Sequence, residues 1–75
     1  MQRLPRLSAN EVIRRLKKLG FIVIRQSGSH IMLRKQINDQ SVGCVVPRHK
    51  LLEAGMLKSI LRQGKISLDD FENVK

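Results

Sequence analysis

The period of the apolar residues changes at Gly20-Phe21, and that change constrains the fold more than any other feature of the chain. Before it, Ala9, Val12, Ile13, Leu16 and Leu19 recur at three- and four-residue spacing, which gathers them on one stripe of a helix. After it, Phe21-Ile22-Val23-Ile24-Arg25-Gln26 is a run rich in β-branched residues, the mark of a strand. Neither a striped helix nor a one-faced sheet is stable until its apolar side is covered, so a short chain that makes both must lay one on the other. The expected class is α+β.

Local signals place the element ends. Ser8-Ala9-Asn10-Glu11 has the capping-box pattern, with the serine accepting from the amide three residues on and the glutamate reaching back, so a helix is expected over 8–19 with Gly20 as its left-handed stop. The first strand spans 21–26 and ends at Ser27-Gly28, and the return strand runs over 29–35. The stretch 36–40, containing Asn38-Asp39, is a second turn, and 42–46 is a third strand that Pro47 stops by lacking a backbone donor. Three strands joined by short turns form an antiparallel meander.

Beyond Arg48-His49-Lys50, the residues Leu52, Met56, Leu57, Ile60 and Leu61 fit helical spacing, giving a second helix over about 54–63 that Gly64 closes. Ser67-Leu68-Asp69-Asp70 reads as a further cap opening a short turn over 67–71, whose Phe71 pins the tail to the core. At 75 residues the chain holds one domain, 1–75, with one small core.

With a single cysteine, Cys44, no intrachain disulfide can form, which fits a reducing compartment. No apolar run approaches the roughly 18 residues of a membrane span, and the first residues carry proline and arginine without the apolar core of a signal peptide. A soluble, cytoplasmic protein with no membrane partner is expected.

The net charge is +9, and residues 1–50 hold all of it, with eleven Lys and Arg against Glu11 and Asp39, while 51–75 is neutral. Strong fields of one sign oppose compaction and point to a polyanionic partner. On the helix, Arg14, Arg15, Lys17 and Lys18 lie opposite the apolar stripe, where like charges three and four apart repel until a partner relieves them. An anionic membrane suits this helix poorly, because its apolar stripe lacks aromatic residues and is needed for the core.

Candidate chemistry is sparse. His30 and His49 are the two histidines, and neither sits in a zinc-ligand pattern; no phosphate-cradling glycine loop is present. No metal and no cofactor is expected. RNA cleavage stays open because RNA carries its own nucleophile, the 2′-hydroxyl, so a protein need supply only a base, an acid and positive charge. Histidine, with an unperturbed pKa near 6.5, serves in either role. Strand alternation sends Ile31 and Leu33 to one side and His30, Met32 and Arg34 to the other, so His30 lies on the open face if the first two meet the helices. Gly28 before it permits close backbone approach. An exposed strand histidine is by itself more often inert. Cys44 reads as a small core residue. With only Phe21 and Phe71 as aromatics, base stacking has little material, so contacts would go to phosphate and sugar.

Four ordered segments carry a family likeness: Leu16-Lys17-Lys18-Leu19-Gly20-Phe21, Arg25-Gln26-Ser27-Gly28-Ser29-His30, Val46-Pro47-Arg48-His49-Lys50, and Gly55-Met56-Leu57-Lys58-Ser59-Ile60-Leu61-Arg62-Gln63. Together they resemble the successive signatures of the HicA (YcfA-like) mRNA-interferase toxins. The resemblance implies a double-stranded-RNA-binding-domain-like fold, α-β-β-β-α with a three-stranded antiparallel sheet and helices on one face. It implies metal-independent cleavage of mRNA, with the histidine of the Gly-Ser-His run, here His30, as the catalytic residue. It also implies a HicB-like antitoxin that covers the basic, His30-bearing surface. Gly28, Ser29, Arg25, Arg34, Lys35, Arg48, His49, Arg14 and Lys18 are then the expected RNA- and phosphate-binding residues. Leu51-Leu52-Glu53-Ala54 departs from the family by being more apolar than the lysine-rich run usual there, and Met56 replaces a common threonine. Two other readings remain: a non-catalytic RNA-binding module of the same fold, and a DNA-binding or protein-interaction domain built on the basic helix.

Overall fold

A computed structural model describes residues 6–74. The element order is α1 (Ala9–Lys18), β1 (Ile22–Ser27), β2 (His30–Ile37), β3 (Gln40–Pro47), α2 (Ala54–Gln63) and α3 (Leu68–Glu72). The strands form one antiparallel sheet in the order β1-β2-β3. This is the expected α-β-β-β-α arrangement, with the tail turn now a short third helix.

The α1 stripe does what its spacing demands. Ala9, Val12, Ile13 and Leu16 are buried against Ile31, Leu33, Val42, Cys44 and Val46 from one sheet face, and Leu57, Ile60 and Leu61 of α2 complete the cluster. Both helices therefore cover the same face. Ser8 caps α1 by accepting from the Glu11 amide at 3.1 Å. The other half of the capping box does not form, because the Glu11 carboxylate turns sideways to Arg14 and Arg15. Two guanidinium partners offer charge-assisted bonds, stronger than a neutral amide on the helix start. Gly20 takes φ +103°, the left-handed stop expected of it.

Several boundaries differ from the sequence reading, each for a physical reason. Phe21 lies before β1, buried, because the chain leaving Gly20 first drops that ring into the core. The 36–40 turn contracts to Asn38-Asp39, since Asn38 accepts φ +54° and lets β2 and β3 pair out to Ile37 and Gln40. Leu52 is not helical: it forms a bridge with Leu7 and is fully buried, which accounts for an apolar residue in a stretch where lysines were expected. Met56 is exposed on α2 and belongs to no core stripe. Gly64 has an ordinary negative φ; the left-handed residue is Lys65 at +54°. What Gly64 supplies is space, for a Cβ there would stand 3.0 Å from Ile66 Cδ1 and 3.1 Å from Phe21 Cζ.

The last segment is tied down as its aromatic residue suggested. Ser67 caps α3 by accepting from the Asp70 amide at 3.1 Å, and Phe71 is completely buried. Burying a phenylalanine stabilises by roughly 1.5–3 kcal/mol, enough to fix a five-residue helix that has no stability of its own. The Arg15 guanidinium lies 5.0 Å from the Phe71 ring centroid, so α1 also grips the tail.

Candidate nucleic-acid interface

One end of the sheet gathers most of the expected site. The two-residue turn Gly28-Ser29 joins β1 to β2, so Ser27 faces His30 across the strands, and Pro47 of β3 faces His30 from the other side. The Arg48 N–H donates to the Ser29 carbonyl at 2.6 Å, and the Ala9 N–H donates to the His49 carbonyl at 3.0 Å. These two bonds bring the turn, the exit of β3 and the start of α1 together.

His30 sits at this end on the helix-free face. Along β2 the buried residues are Ile31 and Leu33, and His30, Met32 and Arg34 are exposed, so alternation places the histidine as the sequence reading has it. A slip of one residue would have buried it. The register of β1 does slip once, between Val23 and Arg25, where Ile24 is an extra residue. The bulge matters for charge: it puts Arg25 opposite Met32, on the His30 face and diagonal to His30, a spacing of roughly 7–8 Å between backbones. Without the bulge Arg25 would face the helices.

The remaining expected residues separate into two groups. Gly28, Ser29, Arg48 and His49 belong to the His30 end, and all four are exposed. Gly28 contributes φ +58°, which the turn needs; a Cβ there would meet nothing within 4 Å, so the close approach expected at this glycine is not made inside the molecule. Arg34 shares the open face, but four residues along β2 it is roughly 13 Å from His30. Lys35 points to the helix side, its Nζ 5.9 Å from the Phe21 ring centroid, in a different neighbourhood. Lys18 is exposed at the far end of α1. Lys18 and Lys35 therefore do not join His30, because helix length and strand alternation carry them away from it.

The four α1 bases do not act as one face. Arg15 is half-buried beside Phe71, and Glu11 accepts from Arg15 Nε at 2.9 Å and from Arg14 Nη2 at 2.6 Å. Those bonds hold the Glu11 carboxyl well below the usual range, at about 2, and raise the Arg14 guanidinium. Arg14 and Lys17 instead line a groove of about 440 Å³ between α1 and β1, with Asn10, Ile13, Val23, Gln26, Ile31 and Arg48. The sequence reading set Arg14 and Lys17 on one charged face but left Lys17 and Asn10 out of the expected site, although spacing of four and seven from Asn10 is one helical stripe.

Cys44 is buried in the core and burial pushes its thiol up to about 11, so it is a packing residue. Among the described residues no three His, Cys, Asp or Glu side chains come together as a metal-ion site, and no helix is long and apolar enough to cross a membrane.

The family model for the HicA toxin of bacterial toxin-antitoxin systems matches residues 9–66. The chain belongs to the HicA toxin family. The match runs from the first residue of α1 to just past α2, so it takes in the helix, the whole sheet, the His30 turn and the second helix. Membership makes this the toxin component of a toxin-antitoxin system and implies an antitoxin as its partner. No curated protein matches the chain.

Proposed function

We propose that this HicA toxin is a metal-independent endoribonuclease that cleaves mRNA in the cytoplasm without a cofactor, that His30 is its catalytic residue, and that a HicB-like antitoxin silences it by covering the His30 face. The observation that carries the reading is the placement of an exposed histidine on the open sheet face, diagonal to Arg25 and next in sequence to Ser29, whose carbonyl accepts from the Arg48 N–H.

The chemistry requires little else. A base takes the proton of the RNA 2′-hydroxyl, whose oxygen attacks the adjacent phosphorus; the bond to the 5′-oxygen breaks, and an acid returns a proton to it. The products are a 2′,3′-cyclic phosphate and a 5′-hydroxyl. His30 acts as general base or general acid, and Arg25, Arg48 and Arg34 hold the phosphates and stabilise the charge that grows on the equatorial oxygens. Ser29 offers a hydroxyl beside the same turn, and His49 lies exposed at the same end of the sheet.

Purified His30→Ala decides the matter. It is expected to keep the wild-type circular dichroism and melting temperature while losing RNA cleavage and growth arrest, with EDTA leaving the wild-type rate unchanged. Retained cleavage by His30→Ala overturns the assignment. RNA that stays intact with excess wild-type protein would make this a binding module, since the basic face can hold RNA by phosphate and sugar without chemistry.

A further inference from the structure

The sheet has two edges, and they are treated differently. The outer edge of β3 is partly covered: α2 packs beside it, and the Val45 N–H donates to Gln63 Oε1 at 3.0 Å. Among the described residues no strand pairs with the outer edge of β1. That edge also carries three consecutive exposed apolar residues, with Ile22 62%, Val23 42% and Ile24 41% exposed. Unpaired main-chain donors and acceptors next to β-branched side chains are a template for another strand, which proteins ordinarily cover or blunt.

We infer that the β1 edge, with the groove between it and α1, is a docking site for an extended, acidic segment of a partner polypeptide that joins the sheet as a fourth strand. The inference takes from the proposed function only that an antitoxin exists to carry such a segment; it does not depend on catalysis by His30. Three features select this occupant. The groove has an apolar floor of Ile13, Val23 and Ile31 and a cationic rim of Arg14, Lys17 and Arg48, so it matches alternating apolar and acidic side chains. A second copy of the chain is opposed by Arg25 in the strand itself and by a net charge of +9 on each molecule. RNA matches the charge but neither the isoleucines nor the main-chain edge, and both phenylalanines are buried, so no aromatic platform faces the groove. An added strand would lie two strand spacings, roughly 10 Å, from β2, close enough to fence the His30 end.

The test uses an acetylated, amidated peptide of about seven residues alternating valine and glutamate as the probe. Titrated into isotopically labelled protein, it is expected to shift the β1 amides first. The same peptide N-methylated at alternate residues should bind roughly tenfold more weakly or worse, since each lost main-chain bond removes a sizeable part of the affinity, and a lysine-for-glutamate peptide should not bind. The Ile22→Ser/Ile24→Ser variant, folded by circular dichroism, should lose peptide affinity by a similar factor and keep its affinity for a short single-stranded RNA. Equal affinity for the N-methylated peptide, or unchanged affinity in the variant, overturns the fourth strand. Shifts of the β1 amides by RNA but not by the acidic peptide assign the groove to nucleic acid, and concentration-dependent dimerisation through β1 in sedimentation assigns it to a second copy. His30→Ala should bind the peptide as wild type does, so an inactive histidine and a failed docking site give different results.

Discussion

The Arg48 N–H and the Ser29 carbonyl, 2.6 Å apart, fasten the Gly28-Ser29 turn to the exit of β3, and through it fix where His30 stands. Arg48 thus carries two separable roles, a main-chain clasp and a side-chain cation. Arg48→Ala keeps the clasp and is expected to lower RNA affinity with little change in melting temperature. Arg48→Pro deletes the N–H and should cost about 0.5–1.5 kcal/mol of stability, the net worth of one hydrogen bond whose exposed Ser29 carbonyl can turn to water. Urea denaturation and RNA titration of the two variants side by side separate the roles; an equal stability loss in both would contradict this division.

The bulge at Ile24 makes a prediction about which cations matter. Arg25 is on the His30 face and Lys35 is on the other, over Phe21. Arg25→Ala is expected to weaken RNA binding and to reduce the slope of log affinity against log salt by about one phosphate contact, and Lys35→Ala to leave both nearly unchanged. A larger effect from Lys35 than from Arg25 would mean that the RNA lies on the helix side.

How much of this was legible in the sequence varies with the range of the interaction. The α1 stripe, the Ser8 and Ser67 caps, the buried Phe71 and the outward His30 follow from periods and local hydrogen bonds, and the structure has them all. What it could not show are features decided between elements. The Ile24 bulge, the Leu7-Leu52 bridge and the diversion of Arg15 to Phe71 depend on which segment meets which, and no spacing along the chain encodes them. The site divided accordingly: Gly28 and Ser29 stay with His30 as its sequence neighbours and Arg48 and His49 join it through the β2–β3 pairing, while Lys35 and Lys18, chosen for charge, do not.

The glycines separate packing from conformation. Gly64→Ala is expected to destabilise by about 1–3 kcal/mol, since its Cβ would press on Ile66 and Phe21 in the core. Gly55→Ala, in the first turn of α2 with nothing within 4 Å, should stabilise by about 0.4–1 kcal/mol by reducing the freedom of the unfolded chain. Thermal melts of the pair test the sign, and a stabilised Gly64→Ala would show that the core has room there.

Cys44 should be nearly silent toward alkylation. Its thiol is buried and raised to about 11, which lowers the thiolate fraction near pH 8 on the order of a hundredfold below that of a free cysteine, before any steric exclusion. Labelling by iodoacetamide, followed by mass spectrometry, is expected to appear only as denaturant unfolds the chain. Rapid labelling of the native protein would show that the β3 region opens locally.

Glu11 governs the acid limb of stability. Its carboxyl is at about 2 when folded, held there by hydrogen bonds from Arg14 and then Arg15, against an ordinary value of 4.5. A depressed pKa means that the unfolded chain binds the proton more readily. The stabilisation is therefore complete above about pH 4.5 and is lost as the pH falls toward 2. Because Glu11 and Arg14 are largely open to solvent and only Arg15 is half-buried, the worth of the three is that of a surface network, about 0.5–1 kcal/mol at low salt, and less as salt screens it. Glu11→Gln should lose about that much at neutral pH and should flatten the decline between those two pH values, while retaining the Ser8 cap, which uses the Glu11 backbone amide. Urea denaturation across that window decides it: parallel declines in the variant and the wild type would assign the acid sensitivity to other carboxylates.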